Sequence, residues 1–400
     1  MPSVAYTVFA GNTQRYEGST VSSVSRKTVA WVAGAALAVG GCVTGIVLAT
    51  GSSGQPAPSQ AGGSTAIARA AAAKPAVPLQ LVSVTPASDA KDVIGTEDIT
   101  VTYNQPLPVT APMPAISPAL AGAWERTGDT AVFTPATGLP EDTSFKVTVP
   151  GLGASADRTA STISFKTAAY STLRLQQILS QLGYLPLTWT PTAGAASPGA
   201  SVAAQLSAAY SPPAGAFGWK SGYPSSLHQQ WALGKANTLD TGAVAGFEAD
   251  HGLTPAGIAS PAVWTALLTA AAKDQQNTHG YSYAIASESL PETLTIWHNG
   301  ARVFSSAANT GIGAAPTAEG TYFVYEKLPF QIMSGTNPDG SHYADPVQWV
   351  SYFDGGEAVH YFPRGSYGWP QSLGCVELPY DAAKRAYPYL PYGTLVTVAG

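Results

Sequence analysis

The chain has 400 residues, more than one core usually organises, so two to four domains are expected. Hydrophobic residues make up 45% and charged residues only 11%, while 41 glycines and 32 prolines favour turn-rich β modules and linkers over helical bundles. A formal net charge of −5 without a basic run excludes an electrostatic case for nucleic acid, and two cysteines, Cys42 and Cys375, exclude a disulfide framework.

In chain order, residues 1–27 read as a cytoplasmic tail. Residues 28–50 carry no charge and are long enough to cross a hydrocarbon core. Arg15, Arg26 and Lys27 precede this run and the next basic residue is Arg69, which places the N-terminus inside and the rest outside. A cleaved signal peptide and a lipidated Cys42 compete with an uncleaved anchor. The apolar run continues past Cys42 and lacks a clear small-residue cleavage site, which favours the anchor and a single-pass location at the cell membrane. Residues 51–78, rich in Gly, Ser, Ala and Pro, read as a flexible linker.

Residues 79–169 alternate short β-rich runs with Pro, Gly and Asp turns, the rhythm of an antiparallel β-sandwich. The stretch from Val82 onward resembles bacterial Ig-like modules and holds no catalytic cluster. Residues 170–273 have helical periodicity. Leu173, Leu175, Ile178, Leu179 and Leu182 form one stripe that Gly183 ends. A second helix is expected from Asp240 as N-cap to just before Gly252, and a third from Ser260 with Pro261 at its first position. This pattern resembles the small three-helix peptidoglycan-binding domain. The interrupting residues 188–234 read as a surface elaboration that docks against a neighbour.

From residue 274 to 400 β-rich runs dominate, and Asn299-Gly300 marks a hairpin. Residues 331–346, polar and glycine-containing, are a candidate flap. The chemistry-bearing string runs from His360 to Leu378. A cysteine after a glycine presents its sulfur at a bend, where the N–H groups of Gly374 and Cys375 are placed to form an oxyanion site. An ordinary thiol is only a few per cent ionised at neutral pH, so a nearby imidazole is needed, and His360 is the candidate. Spacing alone leaves a buried, inert cysteine as the simpler reading. No histidine spacing suggests a metal, and no cofactor is implied.

His360, then Ser372-Leu373-Gly374-Cys375, with Asn309-Thr310-Gly311, Pro316-Thr-Ala-Glu-Gly320 and the closing Gly393-Thr-Leu-Val-Thr-Val398, resembles the L,D-transpeptidase catalytic domain. The fold expected is therefore multidomain and mainly β: a membrane helix, an Ig-like sandwich, a three-helix domain and a β-rich catalytic domain. The resemblance implies Cys375 as nucleophile, His360 as general base, and 3→3 cross-linking of peptidoglycan stem peptides, with carbapenem-type inhibitors as acylating agents. Two positions depart from the family: Leu373 replaces the motif histidine, and Glu377 stands where Arg or Asn is usual. Gly374 and Ser372 are expected to form the site, and Tyr361, Arg364, Leu373 and Glu377 to meet substrate. A catalytically impaired wall-binding scaffold and an L,D-carboxypeptidase are the alternatives.

Overall fold

The computed structural model describes residues 78–151, 159–192 and 199–400. The expected anchor at 28–50, Cys42 and nearly all of the 51–78 linker lie outside these residues. Among the described residues no helix is long and apolar enough to cross a membrane.

The first described segment is a two-sheet sandwich. Strands β1 (Leu81–Thr85), β2 (Ile99–Tyr103), β4 (Gly122–Thr127) and β5 (Thr130–Pro135) form one antiparallel sheet in the order β1-β2-β5-β4. Strands β3 (Ala115–Ser117), β6 (Ser144–Val149) and β7 (Ser161–Lys166) form the other, in the order β3-β6-β7. Alternate residues of each sheet meet in one core, with Ile99 and Val101 of β2, Phe133 of β5, Phe145 and Val147 of β6 and Phe165 of β7 all buried. Period-two alternation produces this directly, since successive side chains leave opposite faces of a strand.

Where three helices were expected, five are present among the described residues. They are α1 (Thr172–Gln181), α2 (Val202–Tyr210), α3 (Ser225–His228), α4 (Thr238–Asp250) and α5 (Pro261–Lys273). The interrupting residues supply α2, α3 and a hairpin of β8 (Leu187–Pro191) with β9 (Gly215–Trp219). They cover the face of α1 that an amphipathic reading leaves to solvent. Arg174, Gln176 and Gln177 are consequently buried, with Gln176 donating to Ala232 O, Lys235 O and Asp240 Oδ2. The start of α4 also differs from expectation. Asn237 is the N-cap, its Oδ1 accepting from Asp240 N at 2.9 Å, and Asp240 lies inside the first turn. Ser260 caps α5 with Pro261 following, as the sequence pattern requires.

The last segment contains nine strands and one α-helix. β10 (Ser282–Ser287), β11 (Thr293–His298), β12 (Ala301–Ala307), β13 (Gly320–Phe323) and β18 (Leu395–Ala399) form a sheet ordered β12-β11-β10-β18-β13. β14 (Glu326–Thr336), β15 (His342–Asp354), β16 (Glu357–Tyr361) and β17 (Val376–Leu378) form a second sheet in sequence order. Helix α6 (Tyr380–Ala386) closes one end of their shared core. β10 is buried on both faces. Ala284 and Ala286 point into this core, whereas Tyr283 joins the helical core together with Tyr281 and Leu395. The boundary at residue 274 is therefore a chain boundary and not a core boundary.

Candidate active site

The site is built on β16 and β17, which pair in parallel with Val359 opposite Val376 and His360 opposite Glu377. Alternation sorts their side chains. Val359, Val376 and Leu378 enter the core between the sheets, while Ala358 and Cys375 face a smaller cluster with Val347, Val350 and Tyr352 of β15. On that second face lies a cavity of about 440 Å³, lined by His360, Arg364, Leu373, Cys375 and Glu377. The long β14–β15 hairpin roofs it with Gln331, Met333, Tyr343 and Val347. The polar 331–346 stretch is thus regular ladder, not irregular loop, closed by a turn in which Asp339 Oδ1 accepts from Ser341 N at 2.9 Å.

The bend before the thiol depends on glycine and serine. Gly374 has φ +110°, a conformation that disfavours any Cβ, and a Cβ there would stand 3.1 Å from Glu357 Oε1. Ser372 Oγ accepts from Gly374 N at 3.2 Å and donates to Cys375 O at 2.5 Å, knotting the turn. Two expectations change here. Ser372 is buried behind the turn and shapes it without facing the cavity. The Gly374 N–H, already engaged by Ser372, does not stand free as an oxyanion donor.

Cys375 Sγ is partly exposed and lies 3.8 Å from Gly356 O, to which it donates. Burial pushes its thiol up to about 12; the Ala358 N–H opposes this, and the Glu377 and Glu357 carboxylates reinforce it. The resting sulfur is therefore protonated at neutral pH. His360 Nδ1 lies 3.0 Å from Tyr361 O, a group that only accepts, so Nδ1 carries the proton and Nε2 is left with a lone pair. Desolvation lowers the His360 pKa, which keeps the ring neutral. The arrangement is a neutral thiol and a neutral imidazole of defined tautomer, sharing one cavity.

Glu377 does not stand as a bare anion. Arg364 Nε donates to its Oε2 at 2.7 Å and Arg364 Nη2 to its Oε1 at 2.8 Å, a bidentate pair that raises the Arg364 pKa. Arg364 Nη2 also donates to Gln371 O, and Nη1 has no hydrogen-bond partner among the described residues. An arginine thus reaches the cavity from position 364, carried by the carboxylate at 377. Tyr361 is corrected: it lies on the opposite face of β16, packs edge-on against Tyr380, and contributes only its carbonyl to the site.

Behind β17 stands a scaffold the motif strings only hinted at. Asn309 and Glu377 exchange both backbone hydrogen bonds at 2.9 Å, and Asn309 Oδ1 accepts from Gly368 N. Glu292, fully buried, accepts from Thr310 N at 2.6 Å and Thr310 Oγ1 at 2.8 Å. Thr317 Oγ1 accepts from Gly311 N at 2.8 Å. Sequence reasoning missed Glu292, whose signal is an acid at the start of an apolar strand, and missed Tyr343 and Tyr352, whose signal is alternation along β15.

Residues 282–398 match the family model described as the L,D-transpeptidase catalytic domain, YkuD. No curated protein matches the chain. Among solved structures, an L,D-transpeptidase from Mycobacterium smegmatis is 15% identical, with coverage of 81% of this chain and 100% of that one and a TM-score of 0.28. L,D-transpeptidase 3 from Mycobacterium tuberculosis, in complex with a faropenem-derived adduct, is 14% identical over 80% of this chain and 98% of that one, with a TM-score of 0.28. The catalytic domain of the E. faecium L,D-transpeptidase is 24% identical over 29% of this chain and 95% of that one, with a TM-score of 0.27. Cys375 and His360 both fall inside the segment that matches the L,D-transpeptidase catalytic-domain model.

Proposed function

We propose that the protein is a peptidoglycan L,D-transpeptidase that forms 3→3 cross-links through a thioester on Cys375. One observation carries the reading: Cys375, the residue just before β17, and His360 of the adjacent parallel strand β16 line one roofed cavity. The thiol is protonated at rest, so His360 Nε2 takes its proton as Sγ attacks the diaminopimelate carbonyl of a donor stem. The C–S bond forms, the C–N bond to the terminal D-alanine breaks, and the proton passes to that departing amine. An acceptor amine then attacks the thioester, gives a proton to His360, and releases Cys375.

Arg364, held by Glu377, takes a carboxylate of the donor peptide through its free Nη1 edge. The exchange of cation position accommodates Glu377, and Leu373 supplies an apolar wall where relatives have a histidine. The segment at 28–50 anchors the enzyme in the membrane and the middle segments hold it against the wall.

Intact mass spectrometry after incubation with a carbapenem tests this. A single adduct is expected, and it is absent in Cys375→Ala. Incubation with a tetrapeptide stem and an acceptor should release D-alanine and yield a cross-linked dimer. Absence of both adduct and D-alanine release would sink the enzyme reading, and a tripeptide as sole product would replace it with a carboxypeptidase.

A further inference from the structure

A second cavity, of about 470 Å³, lies between α4 and the loop that leads into β18, and shares no lining residue with the thiol pocket. Two opposite charges stand on its wall. Lys327 Nζ donates to Tyr387 O at 2.8 Å and sits 4.0 Å from the centre of the Tyr387 ring, but has no carboxylate partner among the described residues. Asp250, at the end of α4, accepts from Tyr184 Oη at 2.9 Å and lies 3.3 Å from His279 Nε2. Lys327 and Asp250 are not paired with each other.

A largely buried ammonium without a counter-ion is unfavourable, and burial pushes the Lys327 pKa down to about 8. A small ligand that brings its own carboxylate supplies the counter-ion that Lys327 lacks. The cavity has the size of small-molecule sites and a wall of mixed polarity. Gly242 and Gly246 let the loop before β18 close against α4 as one wall of the cavity: a Cβ would stand 2.6 Å from Gly393 O at the first and 3.2 Å from Tyr392 O at the second.

We propose that this cleft is a second ligand site that takes a short zwitterionic peptide, its carboxylate on Lys327 and its ammonium on Asp250. A molecule without a carboxylate leaves Lys327 with no counter-ion, and one without an ammonium leaves Asp250 with only Tyr184 Oη and His279 as partners. The site does not rest on the acyl-transfer reading, because its test reads binding and not turnover.

Titration calorimetry of the full-length protein with trialanine, N-acetyl-trialanine and trialanine amide is the experiment. Trialanine is expected to bind, and each blocked form to bind about tenfold more weakly, the equivalent of one moderately desolvated charge contact. Lys327→Met should erase the preference for free acid over amide and leave the preference for free amine. Asp250→Asn should do the reverse. Equal affinity of the three peptides for the unmodified protein, no binding at millimolar concentration, or preferences that survive both substitutions would overturn the proposal. Should either variant fail to fold, the peptide series on the unmodified protein decides alone.

Discussion

At the scale of single residues, the protonation of Cys375 sets the chemistry. Its raised pKa means the neutral thiol persists through neutral pH and ionises only as pH approaches about 12, and the lowered pKa of His360 removes the imidazolium that would hold a thiolate. Alkylation by iodoacetamide, followed by intact mass, should therefore accelerate about tenfold per pH unit between pH 7 and 10, because only thiolate reacts. A plateau reached below pH 8 would reveal a preformed thiolate–imidazolium pair instead. The same two residues were legible in the string His360…Gly374-Cys375 only through its resemblance to a family motif, because a lone cysteine is by itself more often a small buried apolar group. The partner of Glu377 was not. Nothing in the sequence says that Arg364, on a loop after β16, turns back to pair with it.

At the scale of elements, β17 is only three residues long and owes its position to neighbours. Asn309 and Thr310 form a bracket behind it, and Glu292 clamps that bracket with two hydrogen bonds to a buried carboxylate. Glu292→Ala leaves the Thr310 N–H and hydroxyl buried and unsatisfied, at a cost of about 3 kcal/mol by urea unfolding. The carbapenem adduct rate on Cys375 should fall with it, and Glu292→Gln, which keeps an acceptor, should restore part of both. An unchanged unfolding midpoint in Glu292→Ala would refute the clamp. Strand runs and the Asn299-Gly300 hairpin were readable from alternation and turn chemistry, since those forces are local. The roofing hairpin over Cys375 was readable only as a polar flap, because its regular pairing depends on β15 continuing into β16.

At the scale of the whole molecule, the described segments are joined by buried contacts. Glu141 of the sandwich accepts from Tyr170 N at 2.5 Å at the entry to α1, and Gly138 abuts Leu206 of α2. Burial raises the Glu141 carboxyl to about 7 from its ordinary 4.5, so the folded state holds the proton more tightly than the unfolded chain. Its contribution to stability is complete below about pH 4.5 and is lost as pH climbs through about 7. Glu141→Gln should leave Tm unchanged at pH 4 and raise it at pH 8. Asp240 and Glu357, also raised to about 7 by burial, retain a residual slope. An equal Tm difference at both pH values would show that Glu141 is not neutral in the fold. What the sequence by itself determined were features ruled by local periodicity and capping chemistry, the sandwich rhythm and the N-cap of α5, while Cys375 and His360 were singled out through the resemblance of their motif strings. Tertiary structure alone decided the burial of α1 beneath residues 188–234, the Arg364–Glu377 pair, the engagement of Gly374 N–H by Ser372, and the cleft with its separated charges. Those depend on side chains far apart in the chain, whose meeting is set by how packed layers exclude water and not by any spacing along the sequence.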